Sequence, residues 1–195
     1  KFNNFKPEDV RISDIEFTKR IAPFGHKLQW FLENGYIPHY RQMLFHTMRN
    51  DNKLCRYRHL VAGRRGGKTL SAAWDVLYYV LHPEMYHLDA HNEISSRSLH
   101  VWAMTADYPL GRPAWRTFEE VMQQCGLKLG VDYKQNLGDK FFEFENGTLV
   151  EFKTADNPQR LRGAGLDILW IDEAAFIPND EAWNVVRPAL TDKLG

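Results

Sequence analysis

Ala62-Gly63-Arg64-Arg65-Gly66-Gly67-Lys68-Thr69 is the stretch around which the rest of the chain can be read. Ahead of it, Tyr57-Arg58-His59-Leu60-Val61 is short and β-branched enough to predict a strand, and behind it Leu70 to Leu81 reads as a helix. A strand, a glycine-rich turn and a helix make the context that a phosphate-binding loop needs. Glycines let successive backbone N–H groups turn inward around a phosphate, and the helix adds the positive end of its dipole. In that pattern Gly63, Arg65, Gly66 and Gly67 form the cradle. Lys68 is the point charge for the β- and γ-phosphates, and Thr69 offers its hydroxyl to Mg²⁺. Ala62 stands where the pattern has its first glycine, a place alanine fills if its φ stays negative. The plain alternative is a glycine-rich turn with a chance Lys-Thr.

A second motif lies about one hundred residues on. Ile168-Leu169-Trp170-Ile171 is a continuous apolar run, as expected of a strand buried on both faces, and it ends in Asp172-Glu173. Ligands of open parallel sheets bind at the carboxyl ends of the strands. An acid there holds Mg²⁺, which assigns Asp172 to the metal; Glu173 is the candidate base for the attacking water. Acids also begin ordinary turns and helices, so this pair gains its meaning from the loop that precedes it.

Between and around the motifs the pattern alternates. Ser13 caps a predicted helix over 14–20, Lys27 to Glu33 reads as a second, and Pro38 opens a third with Tyr40, Met43, Leu44 and Met48 at helical spacing. Leu70, Ala73, Trp74, Leu77 and Leu81 share one face of the helix after the loop, which Pro83 ends. Residues 87–98 read as a loop, Leu99 to Met104 as a strand, and Pro113 to Cys125 as a helix stopped by Gly126. Asn146-Gly147 between Phe141–Glu145 and Thr148–Lys153 is a strong hairpin signal.

With 195 residues, 44% of them hydrophobic and 13% aromatic, the chain is long and apolar enough for one folded domain. Lys+Arg and Asp+Glu are equal at 25, so composition carries no electrostatic footprint of a nucleic-acid partner. Two cysteines, Cys55 and Cys125, make neither a disulfide framework nor a metal pattern and fit a reducing cytosol. The eight histidines show no metal-ligand spacing. The longest apolar run is too short for a membrane span. A start at Lys1 without Met and a stop at Gly195 lead us to expect a fragment.

The run Arg162-Gly163-Ala164-Gly165-Leu166-Asp167-Ile168-Leu169-Trp170-Ile171-Asp172-Glu173-Ala174-Ala175-Phe176 resembles the Walker B region of phage large terminase subunits. Those proteins are ATP-driven motors that package viral double-stranded DNA. The loop Ala62–Thr69 is similar to the Walker A form of the same family, and Arg187 to Asp192 resembles the segment that follows. The resemblance covers roughly residues 38–195, is specific in the two motifs and diffuse elsewhere.

The resemblance implies an α/β fold: a P-loop NTPase of the additional-strand type, with a mainly parallel sheet flanked by helices and here a β-hairpin insertion. It divides the chain into a helical segment with adenine-side contacts over 1–50 and an ATPase core over 51–195, a core expected to be truncated. The nuclease domain usual in the family would lie outside the chain. It also implies double-stranded DNA, a portal protein and a small terminase subunit as partners, a homo-oligomeric ring on the procapsid, and the host cytoplasm as location.

By the same resemblance Arg64 takes the loop position of the catalytic or sensing arginine, with Arg65 as the alternative. Arg162 takes that of a finger supplied to a neighbouring subunit, with Arg160 as a weaker competitor. Gln42 would read the adenine edge and Tyr40 stack on it. Two other functions stay open: a helicase-type ATPase, because Asp172-Glu173-Ala174-Ala175 also resembles a DEAD-like box, and a nucleotide-binding assembly switch with little hydrolysis.

Overall fold

The structure, a computed structural model, describes residues 25–50, 53–63, 65–163 and 165–192. It begins with helices α1 (Gly25–Glu33) and α2 (Tyr40–His46), followed by an antiparallel ribbon of β1 (Arg49–Asn50) and β2 (Lys53–Leu54). α3 (Lys68–Leu81) leaves the glycine-rich loop and is followed by the short α4 (Pro83–Tyr86). β3 (His100–Thr105), α5 (Tyr108–Gln124), β4 (Tyr133–Asn136), β5 (Phe141–Phe144), β6 (Leu149–Thr154), β7 (Ile168–Ile171) and α6 (Glu181–Asp192) complete the order. The helix predicted over 14–20 lies outside the described residues.

The five-stranded sheet runs β4-β5-β6-β3-β7. β3 is parallel to both β6 and β7, whereas β4/β5 and β5/β6 are antiparallel. The sheet is therefore mixed, which corrects the expectation of a mainly parallel one. The cause is the Asn146-Gly147 turn. Gly147 sits at φ +81°, a conformation that suits glycine, and pairs its N–H with the Phe144 carbonyl at 2.9 Å. The turn sends β6 back along β5 and onto β3, so the hairpin is part of the sheet itself. Asn146 Nδ2 donates to the Val80 carbonyl at 2.7 Å, tying the turn to the far end of α3.

The strand predicted over Tyr57–Val61 does not form. These residues have no ladder partner among the described residues, and Val61 is 93% exposed. Side chains hold the segment instead: Arg58 turns inward to Asp75 at 2.7 Å, and the Tyr57 ring meets Trp183 edge-on at 6.0 Å. With β3 as its one described partner, β7 is an edge strand. Of Ile168, Leu169, Trp170 and Ile171 only Trp170 is buried, which corrects the reading of a strand buried on both faces.

Alternation along β3 splits the core in two. Val101 and Ala103 face α3 and α5, joining Phe31, Tyr36, Trp74, Leu77, Phe118, Val121, Phe142 and Val150. Trp102 and Met104 face the other way, with Leu161, Leu166, Ala182 and Val186, so α6 covers the opposite face. Each large side chain fully buried in this way contributes ~1.5–3 kcal/mol. α5 starts at Tyr108, five residues before the proline taken as its start signal, because the Asp107 carboxylate accepts from the Leu110 N–H at 2.8 Å. The loop predicted at 87–98 opens as a π-helical turn over His87–His91, which Asn92 ends in the left-handed region. Among the described residues no helix is long and apolar enough to cross a membrane.

Candidate functional site

The glycine-rich loop folds on itself. Gly66 N–H donates to the Gly63 carbonyl at 3.1 Å, and Gly67 caps α3 at φ +71°. A Cβ at Gly66 would lie 2.8 Å from the Ala62 methyl and 3.0 Å from the Gly63 carbonyl. The methyl at Ala62, where the motif has its first glycine, therefore makes glycine at 66 the more necessary. Lys68 Nζ donates to the Ala62 carbonyl at 3.0 Å and approaches the Gly63 carbonyl at 3.5 Å, so the ammonium is held over the loop's own backbone. Arg65 is exposed and adopts φ +63°; Arg64 lies outside the described residues.

The two motifs meet. Asp172 follows β7 directly, and its N–H donates to the Met104 carbonyl at 3.0 Å, which holds it at the strand end. Thr69 Oγ1 lies 3.2 and 3.1 Å from the two Asp172 carboxylate oxygens. Burial pushes the Asp172 carboxyl above its usual range; the Thr69 hydrogen bond opposes the shift and the Glu173 charge adds to it. A carboxylate raised in this way gains from a nearby cation. A hydroxyl beside a carboxylate is an all-oxygen donor set of the kind Mg²⁺ takes. These residues fit that ion.

Glu173 is exposed and sits in the left-handed region at φ +51°, where it starts a 3-10 turn over Ala174–Phe176. Such a conformation costs a non-glycine residue ~1–2 kcal/mol, and it turns the backbone sharply after Asp172. The two neighbouring acids thus face different surroundings, one 7% exposed and one open to solvent.

α2 brings Gln42 to the loop. Its Oε1 accepts from the His39 N–H at 3.0 Å while His39 Nδ1 accepts from the Gln42 N–H at 3.4 Å, a reciprocal cap that fixes the helix start. Gln42 Nε2 packs against Gly67, only 2.5 Å from where a Cβ there would stand. Tyr40 is half-buried at the first position of the helix. Arg162 and Arg160 are both exposed. Arg162 lines a groove of about 830 Å³ with Gln159, Gly165, Glu181 and Asn184, between the loop ahead of β7 and α6.

A further group of charges behind the loop escaped the sequence reading. Asp75 of α3 is 2% exposed. It accepts from Lys27 at 3.1 Å, His46 Nδ1 at 2.9 Å and Arg58 at 2.7 Å. Burial alone would raise its pKa; Arg58, Lys27 and His46 together hold it well below the usual carboxylate range. Burial lowers Lys27 to about 8 and His46 to about 4. The sequence signal was an aspartate within the apolar run Ala72-Ala73-Trp74-Asp75-Val76-Leu77, since a charge there needs buried partners.

Residues 59–193 match the family model described as terminase large subunit, T4likevirus-type, N-terminal. Among solved structures, the fold is similar to the large terminase ATPase domain of Thermus phage P74-26, with a TM-score of 0.64 and 20% identity over 86% of this chain. It is also similar to an arginine-to-alanine variant of that domain, with a TM-score of 0.60 and 19% identity, again over 86% of this chain. The chain spans 65% and 66% of the length of those two structures. No curated protein matches. The family match takes in the glycine-rich loop, β7 and the acids that follow it, so the chain belongs to the T4likevirus-type large terminase subunit family and carries its N-terminal region.

Proposed function

We propose that this chain is the Mg²⁺-dependent ATP hydrolase of a phage packaging motor, which drives double-stranded DNA into a procapsid. In this reading it works in a homo-oligomeric ring on the portal, with the small terminase subunit as a further partner. The observation that carries the reading is the contact of Thr69 with Asp172, which joins two motifs distant in sequence into one oxygen-lined corner.

Magnesium, when bound, supplies charge neutralisation to the phosphates. The chain's own residues supply the rest. Backbone N–H groups of 63–67 and the start of α3 receive the phosphates, and Lys68 exchanges its loop carbonyls for phosphate oxygens. Asp172 and Thr69 hold the metal side. Glu173, exposed where Asp172 is buried, takes the proton of the attacking water. Arg64 stabilises the transferring charge within its own subunit, with Arg65 beside it, and Arg162 reaches a neighbouring subunit. Gln42 and Tyr40 form the adenine side, for which the contact of Gln42 with Gly67 is the support. On this reading the chain divides into an adenine-side helical segment over 1–50 and the ATPase core over 51–195.

Steady-state phosphate release by the full-length subunit tests the assignment. Lys68→Ala should lower turnover by ~10²-fold or more, the scale on which a removed charge-stabilising group acts. Turnover within a few-fold of wild type would place the site elsewhere.

A further inference from the structure

Asp75 takes no part in the chemistry just described, yet three segments converge on it, two of which flank the nucleotide loop. Arg58 lies in the stretch leading into the loop and donates to Oδ2 at 2.7 Å. His46 ends α2, the helix that presents Gln42 to Gly67, and shares Oδ1 at 2.9 Å. Lys27 of α1 reaches the same oxygen at 3.1 Å and also donates to the His46 carbonyl at 3.1 Å.

From His46 the bonding runs on toward the loop. With its Nδ1–H given to Asp75, the neutral imidazole keeps Nε2 as an acceptor for the Tyr36 hydroxyl at 3.1 Å. The single Tyr36 hydrogen is shared, its longer arm donated to Ser71 Oγ at 3.4 Å. Ser71 donates to the Gly67 carbonyl at 2.8 Å. Tyr36 and Ser71 are both buried, and the Tyr36 ring stacks on Trp74 at 4.9 Å. One carboxylate thus anchors the approach to the loop through Arg58, its exit through Ser71 and Gly67, and the helix that packs Gln42 against it.

We propose that Asp75, acting through His46, Tyr36 and Ser71, is the positioning residue that sets the loop 62–69 in its nucleotide-receiving shape. The proposal rests on reading that loop as the nucleotide site. A hydrogen-bonded chain of buried groups has few alternative arrangements, so it fixes the Gly67 carbonyl and the α3 start before the phosphates arrive. Losing one link relaxes the loop, and the cost falls on nucleotide affinity, with the hydrolytic step little changed.

Asp75→Asn is the direct variant, but it also leaves two buried cations short of a partner. The discriminating pair is Tyr36→Phe against Tyr79→Phe. Each removes one buried phenolic hydroxyl and keeps its ring; Tyr79, on α3 with Asp75, donates to Asp89 at 2.9 Å, outside the path to the loop. Binding of a fluorescent ATP analogue with Mg²⁺, and hydrolysis, are measured in the full-length subunit well below its melting temperature. Tyr36→Phe should weaken binding and raise KM about three- to ten-fold, with kcat kept within about two-fold. Tyr79→Phe should lower the melting temperature alone. Ser71→Ala should reproduce the Tyr36→Phe shift, and the double variant should add nothing to it. Equal affinities for the two tyrosine variants, or wild-type affinity in folded Asp75→Asn, would overturn the proposal. Lys68→Ala separates the two levels. If it retains affinity, the site itself is misassigned; if it loses affinity while Tyr36→Phe behaves like Tyr79→Phe, the positioning role alone fails.

Discussion

Thr69 and Asp172 stand 103 positions apart in the chain and within hydrogen-bonding distance in the fold, the threonine hydroxyl at 3.2 and 3.1 Å from the two carboxylate oxygens. The hydroxyl comes from the first turn of α3 and the carboxylate from the end of β7, so the contact fixes how the helix sits over the sheet. It also places the two groups that would share a metal ion side by side.

Because they share one contact, their losses should not add. Thr69→Ala and Asp172→Asn are each expected to weaken Mg²⁺-dependent binding of an ATP analogue by ~10-fold, with metal-free binding little changed. The double variant should be no weaker than the worse single one. Titrations of all four proteins with and without Mg²⁺ check this; strictly additive losses would mean that the two residues serve separate functions.

The crowding inside the loop yields a paired prediction. Gly66→Ala pushes a methyl against Ala62 and should reduce nucleotide affinity by ~10-fold or more, because backbone must shift to admit it. Ala62→Gly in the same chain removes one of the two obstructions and should recover part of the loss; the Gly63 carbonyl at 3.0 Å keeps the recovery incomplete. Isothermal titration with ATP reads both effects. Full affinity in Gly66→Ala would show that the loop is looser than its contacts imply.

Glu173 and Arg162 are expected to belong to different catalytic centres in a ring. Protein with Arg162→Ala is mixed with protein carrying Glu173→Ala on procapsids. A subunit with an intact base but no finger of its own kind then meets a neighbour whose arginine is intact, and mixed rings should hydrolyse ATP above either parent. Arg64→Ala in place of Arg162→Ala should give no such rescue, since both lesions then fall on the subunit's own site. Verified mixed rings with no gain from Arg162→Ala would remove that arginine from the mechanism.

Stability in acid should depend on Glu151. Its carboxylate accepts from His100 Nε2 and Trp102 Nε1 at 2.7 Å each and from Lys153 at 2.6 Å. Burial raises its pKa, but these three donors outweigh it and bring it down to about 2 from 4.5. A lowered folded-state pKa stabilises the protein above the unfolded value and loses that contribution as pH falls from about 4.5 toward 2. The loss is on the order of 2 kcal/mol for a group 18% exposed. Urea midpoints should therefore fall between pH 5 and pH 3 in wild type, and fall distinctly less in Glu151→Gln. Parallel pH profiles for the two proteins would assign acid lability to other carboxylates.

The features that could be read in the sequence were those whose cause is local. Asn146-Gly147 dictates its turn through backbone conformation, and Lys68-Thr69 after paired glycines marks the start of α3 wherever it packs. Tyr57–Val61 misled because its propensity is that of a strand, while its actual partners, Asp75 and Trp183, lie far along the chain. β7 read as buried on both faces because its residues are apolar; among the described residues it pairs with β3 alone, which only the fold reveals. The Asp75 cluster gathers Lys27, His46 and Arg58 from three segments, and no spacing rule connects them. In the candidate site, the loop and Asp172 stand out as motifs, and the fold brings Thr69 and Asp172 together. The packing of Gln42 on Gly67 needed the fold, since it follows from how α2 crosses α3.

The bond from Asn146 Nδ2 to the Val80 carbonyl has a mechanical consequence. α3 is 14 residues long, a stiff rod of ~21 Å whose first turn holds Lys68 and Thr69 and whose last turn is gripped by the hairpin. Sliding or tilting the rod at one end cannot leave the hairpin behind without stripping a backbone acceptor of its partner. A displacement of the helix at its loop end therefore bears, through helix and asparagine, on the turn that joins β5 to β6. In this molecule the tip of the sheet and the floor of the glycine-rich loop are two ends of a single lever.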